Sequence, residues 1–204
     1  MNDIPIHSVL ISVEGFIELG YIGVFATAFL LNLVPFTNPT NPLMVLLIIQ
    51  IAPTLNPMII GVLVALGATA SKIVHYVIAY YTARKVKVKM FKDNILLNRF
   101  GFLAAFIAAV TPLPDDWAAI PLAIVGFNIV KFTLGFLVGK LTTCIVAGIL
   151  GKRIIWLLEE SMGIWGSIIS FTGTIVLIVI AIVWSEKIEK MVLIIFKKFK
   201  IIKN

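Results

Sequence analysis

Four charged residues lie within long apolar stretches of the sequence: Lys72, Asp115, Asp116 and Lys140. A charge near the centre of a membrane costs about 2.5–3.5 kcal/mol on insertion scales, so charges found at such depth are candidates for function. Neighbouring carboxylates repel each other, which favours protonation of one of them and suits a proton-coupled step. The two lysines are suited to hold a phosphate. The residue types predict an anion site beside a proton-coupling site.

Each of these four residues also has a structural interpretation. Asp115 and Asp116 directly precede Trp117, a place where an aspartate can cap a helix. They can also form ion pairs or lie exposed at the membrane interface. Lys72 and Lys140 either hold a phosphate or pair with the two aspartates, and the two interpretations are compatible if a substrate displaces one aspartate.

His75 and a polar turn add further candidates. His75 lies one helical turn after Lys72 and is either a proton-coupling residue or a hydrogen-bonded packing residue. The polar turn contains neutral donors and acceptors that either orient a substrate or satisfy their own backbone. Its candidate substrate-binding residues are Thr37, Asn38 and Asn41.

The composition requires a membrane around these residues. The chain has 204 residues, of which 60% are hydrophobic and 13% are charged, with a mean hydropathy of +1.08. A soluble domain carries about 25% charged residues. Residues 19–71 and 161–185 contain no charged residue and no histidine, and each stretch is longer than the roughly 18 apolar residues that indicate a span. We therefore predict an all-α polytopic membrane protein.

Prolines divide the chain at two places where a continuous helix cannot form. Three prolines occur within residues 35–42, and each lacks the backbone N–H that a helix interior needs. The apolar segment that follows, residues 43–52, would extend about 15 Å, half of a hydrocarbon core about 30 Å thick. We therefore predict re-entrant helical hairpins at residues 21–53 and 100–127. Their turns contain Pro35, Pro39, Pro42, Pro112 and Pro114.

The order of predicted elements occurs twice. An interfacial helix, a glycine, a re-entrant hairpin and a spanning helix occupy residues 4–81 and again residues 85–150. Because one spanning helix joins the two units, the second hairpin enters from the opposite side, which makes an inverted repeat. Transporters of this kind bind substrate at the repeat interface near the membrane midplane. A last span at 163–184 and a basic interfacial tail at 185–204 complete a single membrane domain, residues 1–204.

Basic residues predict the orientation in the membrane. Residues 84–99 contain six basic residues and one acidic residue. The positive-inside rule places this loop and the lysine-rich C-terminus in the cytoplasm. The N-terminus and a nearly charge-balanced loop at 151–160 are then outside. The predicted location is the plasma membrane.

Three segments carry a resemblance to a known family. They are P-F-T-N-P-T-N-P at 35–42, G-A-T-A-S-K-I-V-H-Y at 67–76, and F-I-A-A-V-T-P-L-P-D-D at 106–116 followed by G-F-N-I-V-K-F at 126–132. Over about residues 20–150 the sequence resembles the DedA family, also called VTT-domain or SNARE-associated membrane proteins. Ser71-Lys72 stands where the family often has Gly-Asp, so the charge pattern is inverted in part, and the sequence resembles a divergent, archaeal subclass.

The resemblance implies two re-entrant hairpins that face each other and a role in moving lipids across the bilayer. Bacterial relatives are associated with recycling of undecaprenyl phosphate coupled to protons or sodium, and eukaryotic relatives with phospholipid scrambling. We therefore expect a flippase for an anionic lipid of the polyprenyl phosphate type, coupled to protons or another cation. The alternatives are an energy-independent phospholipid scramblase and a structural membrane protein whose charges lock the hairpins together.

Other chemistry finds no support in the sequence. It contains no G-x-S-x-G, H-E-x-x-H or P-loop motif, so we expect no enzymatic activity. One cysteine and two histidines cannot form a zinc cluster, and we expect neither a metal nor a cofactor. The expected partners are anionic membrane lipids and not nucleic acid. The sequence leaves a homo-oligomer open.

Overall fold

The computed structural model describes residues 19–34, 41–86, 95–111 and 115–198. Within those ranges the elements are seven α-helices and no strand, which confirms the predicted all-α class. The helices are α1 (Tyr21–Leu33), α2 (Asn41–Ile51), α3 (Pro57–Lys85), α4 (Ile95–Val110), α5 (Asp116–Ile124), α6 (Ile129–Met162) and α7 (Ile164–Lys198).

Two pairs of short helices stand where re-entrant hairpins were predicted, and we call these pairs the first and the second hairpin. The first pair is α1 and α2, and the second is α4 and α5. With 11 residues, α2 is about 17 Å long and cannot cross a hydrocarbon core about 30 Å thick. Pro42 lies in the first turn of α2, where a proline is tolerated. The remaining predicted turn residues lie outside the described residues: Pro35, Thr37, Asn38, Pro39, Pro112 and Pro114. The predicted N-terminal interfacial helix also lies outside them.

Three segments are long and apolar enough to cross a membrane: Pro57–Lys85, Ile129–Met162 and Ile164–Ala181. The first two begin in the same way. The Asn56 side chain accepts a hydrogen bond from the Met58 N–H at the start of α3, and Asn128 accepts from two N–H groups at the start of α6. Asparagine is a preferred N-cap because its side chain satisfies backbone donors that have no partner inside the helix.

The prediction of an outer loop at residues 151–160 is wrong. The helix α6 continues through it to Met162, and the chain turns at Gly163, which has a φ of 58°. Residues 152–162 contain no glycine or proline, so nothing interrupts the helix. Their charges mark the end of the apolar part of α6 and not the end of the helix. The helix α7 is also continuous to Lys198, so the predicted interfacial tail begins as a continuation of the last span.

The sequence predicted that Gly101 separates an interfacial helix from the second hairpin, and this prediction is wrong. The helix α4 begins at Ile95 and passes through Gly101 without a break. A Cβ atom at this position would lie 2.5 Å from the Phe127 ring. Glycine is therefore needed here for close packing and not to end a helix.

The two predicted repeat units make equivalent contacts. In each unit the first short helix packs against the long helix of the same unit, α1 on α3 and α4 on α6. The second short helix packs against the long helix of the other unit, α2 on α6 and α5 on α3. The helices α3 and α6 also pack directly against each other. The opposite membrane orientation of the two units stays a prediction.

Glycines allow this close packing at matching positions in α3 and α6. A Cβ atom on Gly67 would lie 2.7 Å from the Phe25 carbonyl oxygen of α1. A Cβ atom on Gly135 would lie 2.7 Å from the Phe102 carbonyl oxygen of α4. The backbones of α1 and α4 therefore lie directly against α3 and α6. Small residues allow such close approach between helices in membranes.

Candidate functional site: a buried cluster of charged residues

The four charged residues singled out by the sequence meet inside the protein. Asp115 and Asp116 lie at the start of α5, while Lys72 lies in the middle of α3 and Lys140 in the first half of α6. Lys72 and Asp116 are 0% exposed, Asp115 is 2% exposed and Lys140 is 4% exposed. The interpretation of the aspartates as exposed interfacial residues therefore does not apply. Groups buried this deeply need partners for their charges.

Lys140 and Asp115 form the first ion pair. The Lys140 Nζ atom lies 3.0 Å from Asp115 Oδ1 and 2.9 Å from Oδ2, so the ammonium group contacts both carboxylate oxygens. The same Nζ atom lies 5.4 Å from the centroid of the Phe136 ring. A ring at this distance adds a cation–π attraction on a third side of the lysine. The pair joins the tip of the second hairpin to α6.

Asp116 joins the same tip to α3. Its Oδ1 atom lies 2.8 Å from Lys72 Nζ and 2.8 Å from His75 Nδ1. The other ring nitrogen of His75, Nε2, lies 2.8 Å from the carbonyl oxygen of Leu33. Leu33 is the last residue of α1, so His75 contacts both hairpins at once. Of the two interpretations of His75, the structure shows a hydrogen-bonded residue, and whether it moves a proton stays a prediction.

The ends of the short helices favour this distribution of charge. The N-terminus of a helix carries a partial positive charge and its C-terminus a partial negative charge. Asp116 lies in the first turn of α5, where a carboxylate is stabilised, and His75 faces the C-terminal end of α1. Asp115 stands at the N-cap position of α5 but makes no capping hydrogen bond with its side chain. Asp116, the aspartate that the sequence placed as the cap, lies inside the first turn instead, and the ion-pair interpretation describes the contacts of both aspartates.

A pair of asparagines links the two legs of the first hairpin. Asn41, the first residue of α2, is buried and accepts a hydrogen bond of 2.8 Å from Asn32 Nδ2 near the end of α1. The same Nδ2 group also donates to the Ala28 carbonyl at 2.8 Å. Asn32 Oδ1 is buried and has no hydrogen-bond partner among the described residues. Thr37 and Asn38, the other candidates of this turn, lie outside the described residues.

Sequence reasoning missed two polar residues near the site. Asn32 is completely buried, and its signal is a single amide side chain in the otherwise apolar end of α1. Tyr76, one turn after Lys72, donates a hydrogen bond from its hydroxyl group to the Phe127 carbonyl. Phe127 follows α5, so this bond fixes the end of the second hairpin on α3. The tyrosine gave no signal because tyrosine is common at membrane interfaces.

No group of three or more residues that could ligate a metal occurs among the described residues.

The cluster is suited to an exchange of the anions that neutralise its lysines. Two lysines from two long helices are both neutralised by adjacent residues of a single short helix. The first hairpin contributes the Leu33 carbonyl and no charged side chain from its described residues. A movement of α5 would therefore remove the counter-ions of both lysines together.

A comparison with protein families places this cluster within a known domain. A model of the VTT domain matches residues 38–153, which is more than half of the chain and includes all four charged residues and His75. Searches of curated proteins and of solved structures found no match. The chain therefore belongs to the VTT domain family, the DedA or SNARE-associated membrane proteins.

Proposed function

We propose that the protein moves an anionic lipid of the polyprenyl phosphate type across the plasma membrane and that protons drive the movement. One observation carries this proposal: the two buried lysines take both of their counter-ions from the tip of one short hairpin. Membership of the VTT domain family supports a role in membrane transport. The protein is proposed to move the lipid without altering it, so no enzymatic step is included.

A phosphate group is the ligand that best replaces the two aspartates. A buried lysine that loses its partner is unfavourable by about 3–5 kcal/mol, so each lysine requires an anion at all times. A phosphate monoester carries a charge of about −1.5 to −2 near neutral pH. It can therefore neutralise both Lys72 and Lys140 when Asp115 and Asp116 move away. Asn41 and the polar turn before it would orient the headgroup.

Proton coupling follows from the same exchange. When a phosphate takes the place of Asp115 and Asp116, their carboxyl groups lose their lysines while they remain within the protein. A buried carboxylate without a counter-ion is costly, and binding a proton removes its charge. The two aspartates would take up protons when the lipid binds and release them when they return to the lysines. His75 is the third group proposed to take part.

The lipid tail requires an opening between the hairpins and the membrane. Large apolar side chains of α6 and α7, such as Val138 and Ile168, are exposed on the protein surface, and we propose that they face lipid. A polyprenyl chain would remain among such side chains while its phosphate reaches the charged cluster. This division suits a substrate with one charged end and a long apolar tail.

The experiment is a translocation assay in proteoliposomes with several labelled lipids. Polyprenyl phosphate, phosphatidylglycerol and phosphatidylethanolamine are compared side by side, with and without a pH gradient. We expect faster translocation of polyprenyl phosphate and an acceleration by the gradient. The double variant Asp115→Asn with Asp116→Asn should lose the effect of the gradient. The exposed Glu160 provides the matched control, since Glu160→Gln removes an acid outside the cluster and should behave as the parent.

Two results would contradict the proposal in different ways. Equal translocation of all three lipids without any effect of the gradient, unchanged by the double variant, would indicate an energy-independent scramblase. No translocation of any lipid by a folded parent protein would favour a structural role for the charges.

A further inference from the structure

We propose that one proton is bound between His75 Nδ1 and Asp116 Oδ1 and that this proton holds the tips of the two hairpins together. The proposal deepens the proposed function, on which it rests for the role of the proton in transport. It identifies the place where the proton is bound and the conformation that the proton stabilises.

The hydrogen bonds of His75 require this proton. Nε2 lies 2.8 Å from the Leu33 carbonyl oxygen, which can only accept, so Nε2 must carry a hydrogen. Nδ1 lies 2.8 Å from Asp116 Oδ1. A neutral ring with its hydrogen on Nε2 would place the Nδ1 lone pair against a carboxylate oxygen. The contact is favourable only if one further proton lies on Nδ1 or on the carboxyl group.

The surrounding charged residues do not remove the need for this further proton. Lys72 donates to Asp116 Oδ1 at 2.8 Å, and its Nζ atom is farther from His75 Nδ1, at 3.4 Å. A hydrogen bond from Lys72 does not replace the proton that the 2.8 Å contact between Nδ1 and Oδ1 requires. Asp115 is bound to Lys140 on α6, and α1 has no charged side chain. Among the described residues, two lysines already neutralise two aspartates. The proton between His75 and Asp116 is therefore one positive charge more than these two pairs contain.

The proton connects two helix ends that belong to different hairpins. Leu33 is the last residue of α1, and its carbonyl group has no partner within the helix. Asp116 is the first residue of α5. A doubly hydrogen-bonded imidazole therefore links the negative end of one short helix to a carboxyl group at the positive end of the other. His75 lies on α3, which packs against both.

Loss of this proton would break the link that His75 makes between the two hairpins. Two lone pairs would then face each other at the distance of a hydrogen bond, and the contact could not persist. Without a bound lipid, the closed conformation therefore binds one proton more than the open one. By linkage, raising the pH shifts the equilibrium toward the open conformation by up to about tenfold per pH unit.

The first test detects the hydrogen bonds directly. The chain has two histidines, so the variant His7→Gln leaves His75 as its only imidazole. Nitrogen NMR of this variant in nanodiscs should show both ring nitrogens of His75 in hydrogen bonds at low pH, and loss of the Nδ1 hydrogen bond as the pH rises. A Nδ1 atom without a hydrogen bond at every pH would overturn the proposal. This measurement keeps His75 and Asp116 intact.

The second test follows the opening of the hairpin. Hydrogen exchange of residues 116–124 is measured against pH and corrected for the intrinsic pH dependence of exchange. The parent should lose protection in α5 as the pH rises, and His75→Gln, which lacks the imidazole, should lose this dependence. His7→Gln is the matched control and should behave as the parent. A parent without this pH dependence, or an unchanged dependence in His75→Gln, would overturn the proposal.

Both tests are made without a lipid substrate, so they separate the two proposals. If His75 shows the expected proton and no lipid is translocated, the proposed function fails and the proton site stands. If a pH gradient accelerates translocation equally in the parent and in His75→Gln, the proton site fails and the proposed function stands.

Discussion

Lys140 contacts both carboxylate oxygens of Asp115, with its Nζ atom 3.0 Å from Oδ1 and 2.9 Å from Oδ2. The next residue, Asp116, pairs with Lys72 on the other long helix of the cluster. Adjacent residues on one backbone point to different sides, and this geometry lets a short helix hold two spans. The counter-charges of both lysines therefore depend on the position of a single hairpin tip.

Removal of one member of a pair should be strongly destabilising. We expect Lys140→Met to lower the stability by about 3–5 kcal/mol, because Asp115 then remains buried without a partner. The double variant Lys140→Met with Asp115→Leu should recover most of this loss. Thermal unfolding in detergent provides the measurement. The exposed Lys131 supplies the control, since Lys131→Met should leave the stability unchanged. If Lys140→Met is as stable as the parent, the ion pair between Lys140 and Asp115 is wrong.

Gly135 should tolerate no side chain. A Cβ atom there would lie 2.7 Å from the Phe102 carbonyl oxygen and 3.4 Å from Ala105 Cβ. We expect Gly135→Ala to push α4 away from α6 and to cost about 1–3 kcal/mol, as overpacking generally does. Gly173 is the matched control, because nothing lies within 4 Å of its added Cβ atom. If both alanine variants unfold at the same temperature, the close approach of α4 and α6 is wrong.

The hydroxyl group of Tyr76 should contribute to stability through one hydrogen bond. It donates to the Phe127 carbonyl, and Tyr76→Phe leaves that buried acceptor without this donor. We expect a loss of about 1–3 kcal/mol, measured by thermal unfolding in detergent. Tyr81→Phe removes the same group from an exposed ring and should have little effect. Equal effects of the two variants would contradict the bond.

The orientation in the membrane can be tested with single cysteines. We propose that residues 84–99 and the C-terminus are cytoplasmic and that the N-terminus is outside. Cys144 is buried, and Cys144→Ser provides a background without cysteine. An impermeant thiol reagent should label Arg153→Cys on intact cells and should label Lys89→Cys only after permeabilisation. Labelling of Lys89→Cys from outside would reverse the orientation.

The sequence predicted the helices where helix breakers and apolar length were informative. Prolines separated the short legs, and the apolar pattern located the start of each span to within a few residues. It was wrong about residues 151–160, because charges there were taken to indicate a loop. Charge shows where a helix leaves an apolar environment, whereas only a break such as Gly163 shows where it ends.

The site was predicted in part. Charges in apolar stretches identified Lys72, Asp115, Asp116 and Lys140, because such charges are costly and rarely placed without a partner. The choice of partners depends on the direction in which each side chain leaves the first turn of α5, which sequence spacing does not give. The link from His75 to the Leu33 carbonyl connects residues 42 positions apart and involves a backbone group, which leaves no sequence signal.

The central claim is that the ion pairs serve transport as well as stability, and one variant tests it most directly. Lys140→Met with Asp115→Leu removes a complete pair and leaves no buried charge without a partner. We predict that this variant unfolds near the temperature of the parent in detergent and translocates polyprenyl phosphate in proteoliposomes about ten- to a hundredfold more slowly, since a charge-assisted hydrogen bond contributes about 1.5–3 kcal/mol. Translocation at the parental rate by this folded variant would contradict the account and show that the pairs only hold the hairpin in place.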